Sequence, residues 1–279
     1  MNNSPLITVS EALELLKDGA IVFDASIDKV NQKLDTNHIE LIPKSLFFDI
    51  EGELSDHESG LPHTMVDAAV FTQAMRKLGL NQDSNVIIYD RWGMYSSPRA
   101  WWMLRYMGFK EVYVLKGGLP AWKAQGQPIT HQHIHADHSG NFTAEVQKEW
   151  FKSKEDIKSL LGNPDYQIVD ARSQGRFDGT SPEPRAGLSS GHIPGSNNLP
   201  FDQVINDIYF KEDAILKKIY EEHIPFDKPA VFTCGSGITA SIIALGAYHL
   251  GHRQVSVYDG SWTEWASDPN SPIEKSIAQ

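Results

Sequence analysis

Cys234, the single cysteine of this 279-residue chain, is the residue whose type and position most clearly permit chemistry. It follows an apolar run at residues 230–233 and opens the segment Cys-Gly-Ser-Gly-Ile-Thr at 234–239, after which a helical pattern begins. A strand that leads through small residues into a helix directs backbone N–H groups and the positive end of the helix dipole at the loop. This field stabilises a thiolate, so the sequence predicts a nucleophile at Cys234 rather than a buried apolar side chain.

The elements that must position Cys234 occur twice in the chain, in the same order. In the first half, strands, a helix and a Gly-rich segment are predicted at residues 20–25, 86–90, about 97–107, 112–115 and 117–122. In the second half, the corresponding elements fall at residues 167–171, 230–233, about 239–250, 255–258 and 260–265. Asp90 holds the position of Cys234 in the first half, and the spacing from Asp90 to Trp122 nearly equals that from Cys234 to Trp265. The chain is therefore predicted to contain an internal duplication.

Short apolar strands that alternate with helical stretches indicate the α/β class. We expect two tandem domains, each an open, mainly parallel sheet with helices on both faces: residues 1–126, a polar linker at 127–142, and residues 143–279. Ligands of such sheets bind beyond the carboxyl ends of the strands, where Cys234 falls. Because an aspartate cannot carry a sulfur atom, Asp90 makes the first domain inactive and the second domain the catalytic one.

The predicted linker carries four closely spaced histidines: His131, His133, His135 and His138. Alternate residues of an extended segment point to one side, so a metal site is conceivable there. Apart from Asp137, no further ligand accompanies them at a suitable spacing. We therefore expect a solvated linker, with no metal and no cofactor in the protein.

The composition limits the partners of the chain. Apolar residues make up 41% and charged residues 22%, as in an ordinary soluble globular protein. The chain has 25 basic and 36 acidic residues, and this net charge of −11 argues against nucleic acid and against anionic membranes. The uncharged stretch at 229–251 is broken by Gly235 and Gly237, which favours a strand, a loop and a helix over a membrane span. One cysteine and a start without a signal-peptide pattern favour a reducing, cytoplasmic location.

Several further motifs accompany the cysteine segment. They are Phe-Phe-Asp-Ile at 47–50, Tyr-Ser-Ser-Pro-Arg-Ala-Trp-Trp at 95–102, Glu-Pro-Arg at 183–185 and Gly-His-Ile-Pro-Gly at 191–195. Together they resemble the two-domain rhodanese superfamily over essentially the whole chain, with an inactive first domain. The cysteine segment is similar to the Cys-Gly-Ser-Gly-Val-Thr loop of the 3-mercaptopyruvate sulfurtransferases. The chain departs from the family at residues 38–44, which replace a compact His-Ile-Pro-Gly turn in the inactive half.

The resemblance implies an enzyme that moves the sulfur of 3-mercaptopyruvate, a small anionic donor, through a persulfide on Cys234. Pyruvate leaves as its enolate, and the acceptor is thioredoxin, glutathione, another low-molecular-weight thiol or cyanide. Because the chain has no second cysteine, the acceptor must come from outside, and the kinetics are expected to be of the double-displacement type.

The resemblance also assigns roles to residues around the cysteine. Backbone N–H groups of the loop would cradle the outer sulfur, and the loop residues concerned are Gly235, Gly237, Ile238 and Thr239. Arg176 and Arg185 match the arginines that hold the substrate carboxylate in the family. From the residues alone, a surface ion pair with Glu183 or Asp178 is equally open for these arginines.

Proton transfer to the leaving enolate requires a donor, and Ser236 is suitable if a histidine activates it. His63 matches a family histidine that reaches the site from the first domain, and Glu51 or Asp49 could orient it. The alternative for His63 is a histidine that only packs or bonds at an interface.

Three rival functions follow from the same scaffold. A thiosulfate:cyanide sulfurtransferase is disfavoured because thiosulfate-specific relatives carry two basic residues directly after the cysteine. A phosphatase would need an arginine at the sixth position after Cys234, where Ala240 stands. A third alternative is a non-catalytic rhodanese-like module that binds a partner or carries sulfur. The retained cysteine, loop and arginines argue against a module without chemistry, whereas a module that only carries sulfur stays open.

Overall fold

The computed structural model of the chain describes residues 4–276, which form two compact units. Unit 1 consists of residues 4–55, Met65–Gln147 and Asp207–Tyr209. Unit 2 consists of Asp56–Thr64, Lys148–Asn206 and residues 210–276. A short segment of the first half of the chain, Asp56–Thr64, thus belongs to unit 2.

Unit 1 contains a five-stranded parallel sheet. Its strands are β1 (Leu6–Ile7), β2 (Ile21–Asp24), β3 (Ser45–Phe47), β4 (Val86–Tyr89) and β5 (Val112–Leu115), in the order β1-β5-β4-β2-β3. Its helices are α1 (Val9–Lys17), α2 (Ala68–Lys77), α3 (Ser97–Tyr106) and α4 (Gly118–Ala124). All four residues of the central strand β4 are buried, as a near-continuous apolar strand of a covered parallel sheet requires.

Unit 2 repeats this architecture. Its sheet strands are β6 (Phe151–Lys152), β7 (Gln167–Asp170), β8 (Asn197–Asn198), β11 (Ala230–Thr233) and β12 (Val255–Tyr258), in the order β6-β12-β11-β7-β8. Strands β9 (Ile205–Asn206) and β10 (Tyr209–Phe210) form a separate two-stranded sheet. The helices are α5 (Lys154–Leu160), α6 (Gln174–Asp178), α7 (Asp213–His223), α8 (Ile238–His249) and α9 (Ser261–Ser267). The two sheet orders correspond strand for strand, which confirms the predicted α/β fold and the duplication.

The uncharged stretch at 229–251 forms β11, the cysteine loop and α8, as predicted. Most residues of α8 are buried, because the helix consists largely of Ile, Ala, Leu and Gly residues and packs on strands β11 and β12. Within residues 4–276, no helix is long and apolar enough to cross a membrane.

The segment at residues 127–142, predicted as a linker, is bonded to unit 1 at several points. Thr130 pairs with Leu41, and the Ile134 N–H donates to the Ser45 carbonyl at 3.0 Å. Phe142 is fully buried, with its ring 5.7 Å from that of Phe109. The compact unit continues to Gln147, and the predicted domain limits remain predictions.

Candidate active site

Cys234 lies at the carboxyl end of β11, one residue beyond its last paired position, where β11 runs between β7 and β12. Its side chain is a free thiol, and the residue is only 2% exposed. Gly235 and Ser236 follow, and Gly237 adopts a left-handed φ of 83° at the residue before α8. The left-handed turn is what allows the chain to pass from the strand into the helix through only four residues, 234–237.

The first turn of α9 donates hydrogen bonds to the backbone of the cysteine loop. The N–H of Trp262 donates to the Cys234 carbonyl at 2.9 Å, and both the N–H and the hydroxyl of Thr263 donate to the Gly235 carbonyl, at 3.1 and 2.7 Å. In a trans peptide the N–H points opposite to the C=O. Since the chain has no cis bonds among its described residues, the N–H groups of Gly235 and Ser236 point away from α9, toward the open side of the loop.

Ser236 lies beside His63, although 173 positions separate them in the sequence. The Nδ1 atom of His63 is 2.9 Å from the Ser236 hydroxyl oxygen, and both residues belong to unit 2. The loop that carries His63 is closed by its own bonds: the Asp56 N–H donates to the Thr64 carbonyl at 2.9 Å, and the Ser59 and Thr64 hydroxyls are 2.8 Å apart. His63 itself has a left-handed φ of 61°, a strained conformation that often marks functional sites.

A ladder of alternating charges runs from the end of β7 toward the cysteine loop. The Asp170 carboxylate accepts from the buried Arg172 guanidinium, which stacks 4.1 Å from the centre of the Trp262 ring. Arg172 Nη1 then donates to Glu183 at 2.7 Å, and Arg176 Nη2 donates to the other Glu183 oxygen at 2.6 Å. Burial lowers the pKa of the Arg172 guanidinium, but the two paired carboxylates outweigh burial and raise the pKa above its ordinary value.

Arg176 and Arg185 converge on the residue after the cysteine. A β-carbon on Gly235 would stand 3.2 Å from Arg176 Nη2 and 3.8 Å from Arg185 Nη1. Arg185 Nη1 also donates to the Thr263 hydroxyl at 3.3 Å, so the residue that holds the loop holds this arginine as well. The site therefore places two guanidinium groups beside the residue that follows the cysteine, where an anion that carries a reactive sulfur would be bound by its charged end.

The two carboxylates proposed to orient His63 both lie in unit 1. Asp49 accepts from the backbone N–H groups of Gly52 and Glu53 at 2.9 and 3.3 Å, which fixes its side chain on its own turn. Glu51 is exposed. Their roles in a relay stay predictions.

In unit 1, the loop equivalent to the cysteine loop follows Asp90 and binds the carboxylate of that residue. Asp90 is fully buried, and one of its oxygens accepts from the N–H groups of Tyr95, Ser96 and Ser97 at 2.8–3.0 Å, and from the Ser97 hydroxyl at 2.7 Å. The carboxylate thus fills the space around which the loop folds. In unit 2 the same position carries a thiol and smaller neighbours.

The histidines at 131–138 do not form a metal centre with their neighbours. His133 Nε2 is 2.9 Å from an oxygen of the buried Asp24, and His131 Nδ1 is 2.8 Å from the Ile39 carbonyl. Over the described range, no group of three or more His, Cys, Asp or Glu side chains is arranged to hold a metal ion.

Sequence reasoning missed three residues that shape the site. The sequence indicates Glu183 only as a surface partner of the arginines, yet its side chain is 2% exposed and it bridges Arg172 and Arg176. The other two are Thr263 and Ser261, and the Ser261 hydroxyl accepts from the Cys234 N–H at 3.3 Å. The two halves also correspond at this support, because the Leu119 N–H donates to the Asp90 carbonyl just as the Trp262 N–H donates to that of Cys234.

The duplicated parallel sheets and the cysteine loop place the chain in a known class. The rhodanese-like domain profile matches residues 8–125 and 153–268, and the chain belongs to this family. Among curated relatives, it is similar to the 3-mercaptopyruvate sulfurtransferase of Mus musculus, with 42% identity over 80% of this chain and 76% of that protein. It is also similar to the thiosulfate/3-mercaptopyruvate sulfurtransferase 1, mitochondrial, of Arabidopsis thaliana, with 37% identity over 88% of this chain and 71% of the relative.

A solved structure shows the same architecture over the full chain. The Tum1 protein of Saccharomyces cerevisiae superposes with a TM-score of 0.89 at 30% identity, and the match covers 100% of both chains.

Proposed function

We propose that this chain is a sulfurtransferase that takes the sulfur of 3-mercaptopyruvate onto Cys234 and passes it to an external thiol or to cyanide. The observation that carries the proposal is the convergence of Arg176 and Arg185 on Gly235, the residue that directly follows the only cysteine of the chain. The Mus musculus relative is named for this activity. A carboxylate bound by the arginines leaves the substrate sulfur facing Cys234.

In the first half-reaction, the Cys234 thiolate attacks the sulfur of 3-mercaptopyruvate. A sulfur–sulfur bond forms, the carbon–sulfur bond breaks, and its electron pair stays on carbon as the enolate of pyruvate. The enolate then takes up a proton at carbon to give pyruvate. Ser236, activated by His63, is suited to deliver that proton because their side chains are in hydrogen-bond contact at 2.9 Å.

The persulfide is held by the loop until an acceptor arrives. The N–H groups of Gly235 and Ser236 point to the open side of the loop, and with those of Gly237, Ile238 and Thr239 they are the candidate donors to the outer sulfur. In the second half-reaction an acceptor thiolate, from thioredoxin or a small thiol, attacks this outer sulfur and the Cys234 thiolate leaves. Cyanide attacks in the same way and leaves as thiocyanate.

The proposal is tested by comparing two sulfur donors. With cyanide as the acceptor, kcat/KM for 3-mercaptopyruvate should exceed that for thiosulfate, and Cys234→Ser should abolish turnover of both. A larger value for thiosulfate would assign the chain to the alternative activity, and no turnover of either donor by the intact protein would indicate a binding or carrier module.

We further propose that the protein works in a reducing compartment, the cytoplasm, because its only thiol must stay free to react. The Arabidopsis thaliana relative carries the word mitochondrial in its name. Fractionation of the source cells, with the protein followed by antibody, would separate the two locations.

A further inference from the structure

Glu183 is a carboxylate that contacts Arg176, a substrate-binding arginine of the proposed site. Its side chain is 2% exposed, so its interaction with Arg176 is only weakly screened by solvent. Arg176 donates to it through both Nε and Nη2, at 3.1–3.2 Å and 2.6 Å. This bidentate contact fixes the orientation of the guanidinium and also cancels its charge.

Arg185 is held in a different way. Its Nη1 atom donates to the Thr263 hydroxyl at 3.3 Å, and this hydroxyl is neutral. The charge of Arg185 is therefore not cancelled by a bonded carboxylate of this cluster, whereas the charges of Arg172 and Arg176 are matched by Asp170 and Glu183. Three guanidinium groups and two carboxylates leave a single positive charge beside the cysteine loop.

A single positive charge fits a monoanion better than a dianion. The carboxylate of 3-mercaptopyruvate carries one negative charge, and thiosulfate carries two. Each further positive charge in the site attracts a dianion twice as strongly as a monoanion, since the Coulomb energy scales with the product of the charges.

We propose that Glu183 is a specificity-determining residue, which selects monoanionic over dianionic sulfur donors by neutralising Arg176 while holding it in place. This inference rests on the sulfur-transfer function proposed above. Glu183 acts through Arg176 and is a positioning residue, because no substrate atom need touch it.

The test measures the ratio of kcat/KM for thiosulfate to kcat/KM for 3-mercaptopyruvate, with cyanide as the acceptor for both. Glu183→Gln keeps a hydrogen-bond acceptor but leaves the charge of Arg176 uncancelled, and the ratio should rise about tenfold. Arg176→Gln leaves Glu183 uncancelled, so the ratio should fall. The double variant Arg176→Gln with Glu183→Gln restores the single positive charge, and its ratio should return to within about threefold of wild type.

Asp178→Asn is the matched control. Asp178 lies on α6, the helix that carries Arg176, and accepts from the Gln174 side chain rather than from an arginine. Its ratio should equal that of wild type. If Glu183 has only a structural role, Glu183→Gln should lower kcat/KM for both donors equally and leave their ratio unchanged. This result would overturn the proposal. If Glu183→Gln does not fold, an unchanged or raised ratio in Arg176→Gln overturns it as well.

The wild-type protein separates this failure from that of the proposed function. If wild type turns over neither donor, the sulfurtransferase proposal is wrong. If wild type turns over 3-mercaptopyruvate but the ratio does not respond to Glu183 and Arg176, only the role of Glu183 is wrong.

Discussion

At the scale of single residues, the site separates the binding of a donor from the handling of its proton. Arg176 and Arg185 approach Gly235 from one side, and His63 contacts the hydroxyl of Ser236. Substitution of the arginines should therefore change mainly KM, and substitution of Ser236 or His63 mainly kcat.

Removal of the Ser236 hydroxyl should lower kcat for 3-mercaptopyruvate by about 100-fold and leave KM within a few-fold, because proton delivery to the enolate is lost. Stopped-flow release of pyruvate from Ser236→Ala measures this directly. Ser241→Ala is the control, because Ser241 is a serine of α8 whose hydroxyl donates to the Gly237 carbonyl. This variant should keep its turnover of 3-mercaptopyruvate.

If the two residues act as one unit, Ser236→Ala and His63→Gln should each cost about as much as the pair together. Fully additive losses would show that His63 and Ser236 act independently, and this part of the mechanism would be wrong.

Replacement of Arg185 by methionine should raise KM for 3-mercaptopyruvate about 30-fold, because a charge-assisted pair with the substrate carboxylate is lost. Lys217→Met removes an exposed positive charge from α7 and should leave KM unchanged. Equal effects of the two substitutions would point to long-range charge instead of a local contact.

Residue type and loop composition were sufficient to single out Cys234, whereas Arg176 and Arg185 were singled out only by the motif resemblance, and their role in binding stays a prediction. The sequence could not show that Glu183 bridges Arg172 and Arg176. Whether a carboxylate pairs with an arginine in the core or at the surface depends on packing in three dimensions, which residue types alone do not determine.

At the scale of elements, the site depends on the path from β11 through the loop into α8, with α9 behind it. Two glycines of the loop serve different needs. Gly237 has a left-handed φ of 83°, whereas Gly235 has an ordinary backbone and instead leaves space beside Arg176.

The two glycines should therefore respond differently to alanine. Gly237→Ala should lower the free energy of unfolding by about 1 kcal/mol, since a β-carbon disfavours the left-handed region. Gly235→Ala should leave stability nearly unchanged but raise KM, because its methyl group would displace the Arg176 guanidinium. Urea unfolding and steady-state kinetics on both variants give the comparison, and identical profiles would contradict it.

Most helix and strand limits followed from apolar patterning to within a residue or two, as for α8, predicted at about 239–250 and found at Ile238–His249. The support from α9 was not predicted. Ser261 has a left-handed φ of 51°, like Gly118 at the start of α4, but a serine gives no sequence signal for that conformation.

At the scale of the whole molecule, the duplication has produced two equivalent loops, after Cys234 and after Asp90, that differ in function. The loop of unit 2 leaves a thiol free, while the loop of unit 1 is closed around the Asp90 carboxylate. We expect the first to contribute to activity and the second to stability.

Asp90→Asn should therefore destabilise the protein by about 2 kcal/mol, because an amide nitrogen would face N–H donors in a buried site. At a temperature where the variant is folded, its turnover of 3-mercaptopyruvate should match wild type. Asp83→Asn, an exposed change in unit 1, is the control for stability. Loss of turnover in folded Asp90→Asn would show that unit 1 takes part in the chemistry.

The repeat in the sequence was enough to predict two similar parallel sheets. It did not reveal that Asp56–Thr64, from the first half, belongs to unit 2 and brings His63 to Ser236. Contacts between residues so far apart along the chain leave no local pattern, and only the motif resemblance pointed to His63.

The most direct test of sulfur transfer through Cys234 is the mass of the intact protein after reaction with 3-mercaptopyruvate in the absence of any acceptor. We expect one added sulfur atom per chain, located on Cys234 by peptide mapping, with one pyruvate released and the mass restored when a thiol is added. Pyruvate release without a sulfur on Cys234, or equal loading of Cys234→Ser, would contradict it.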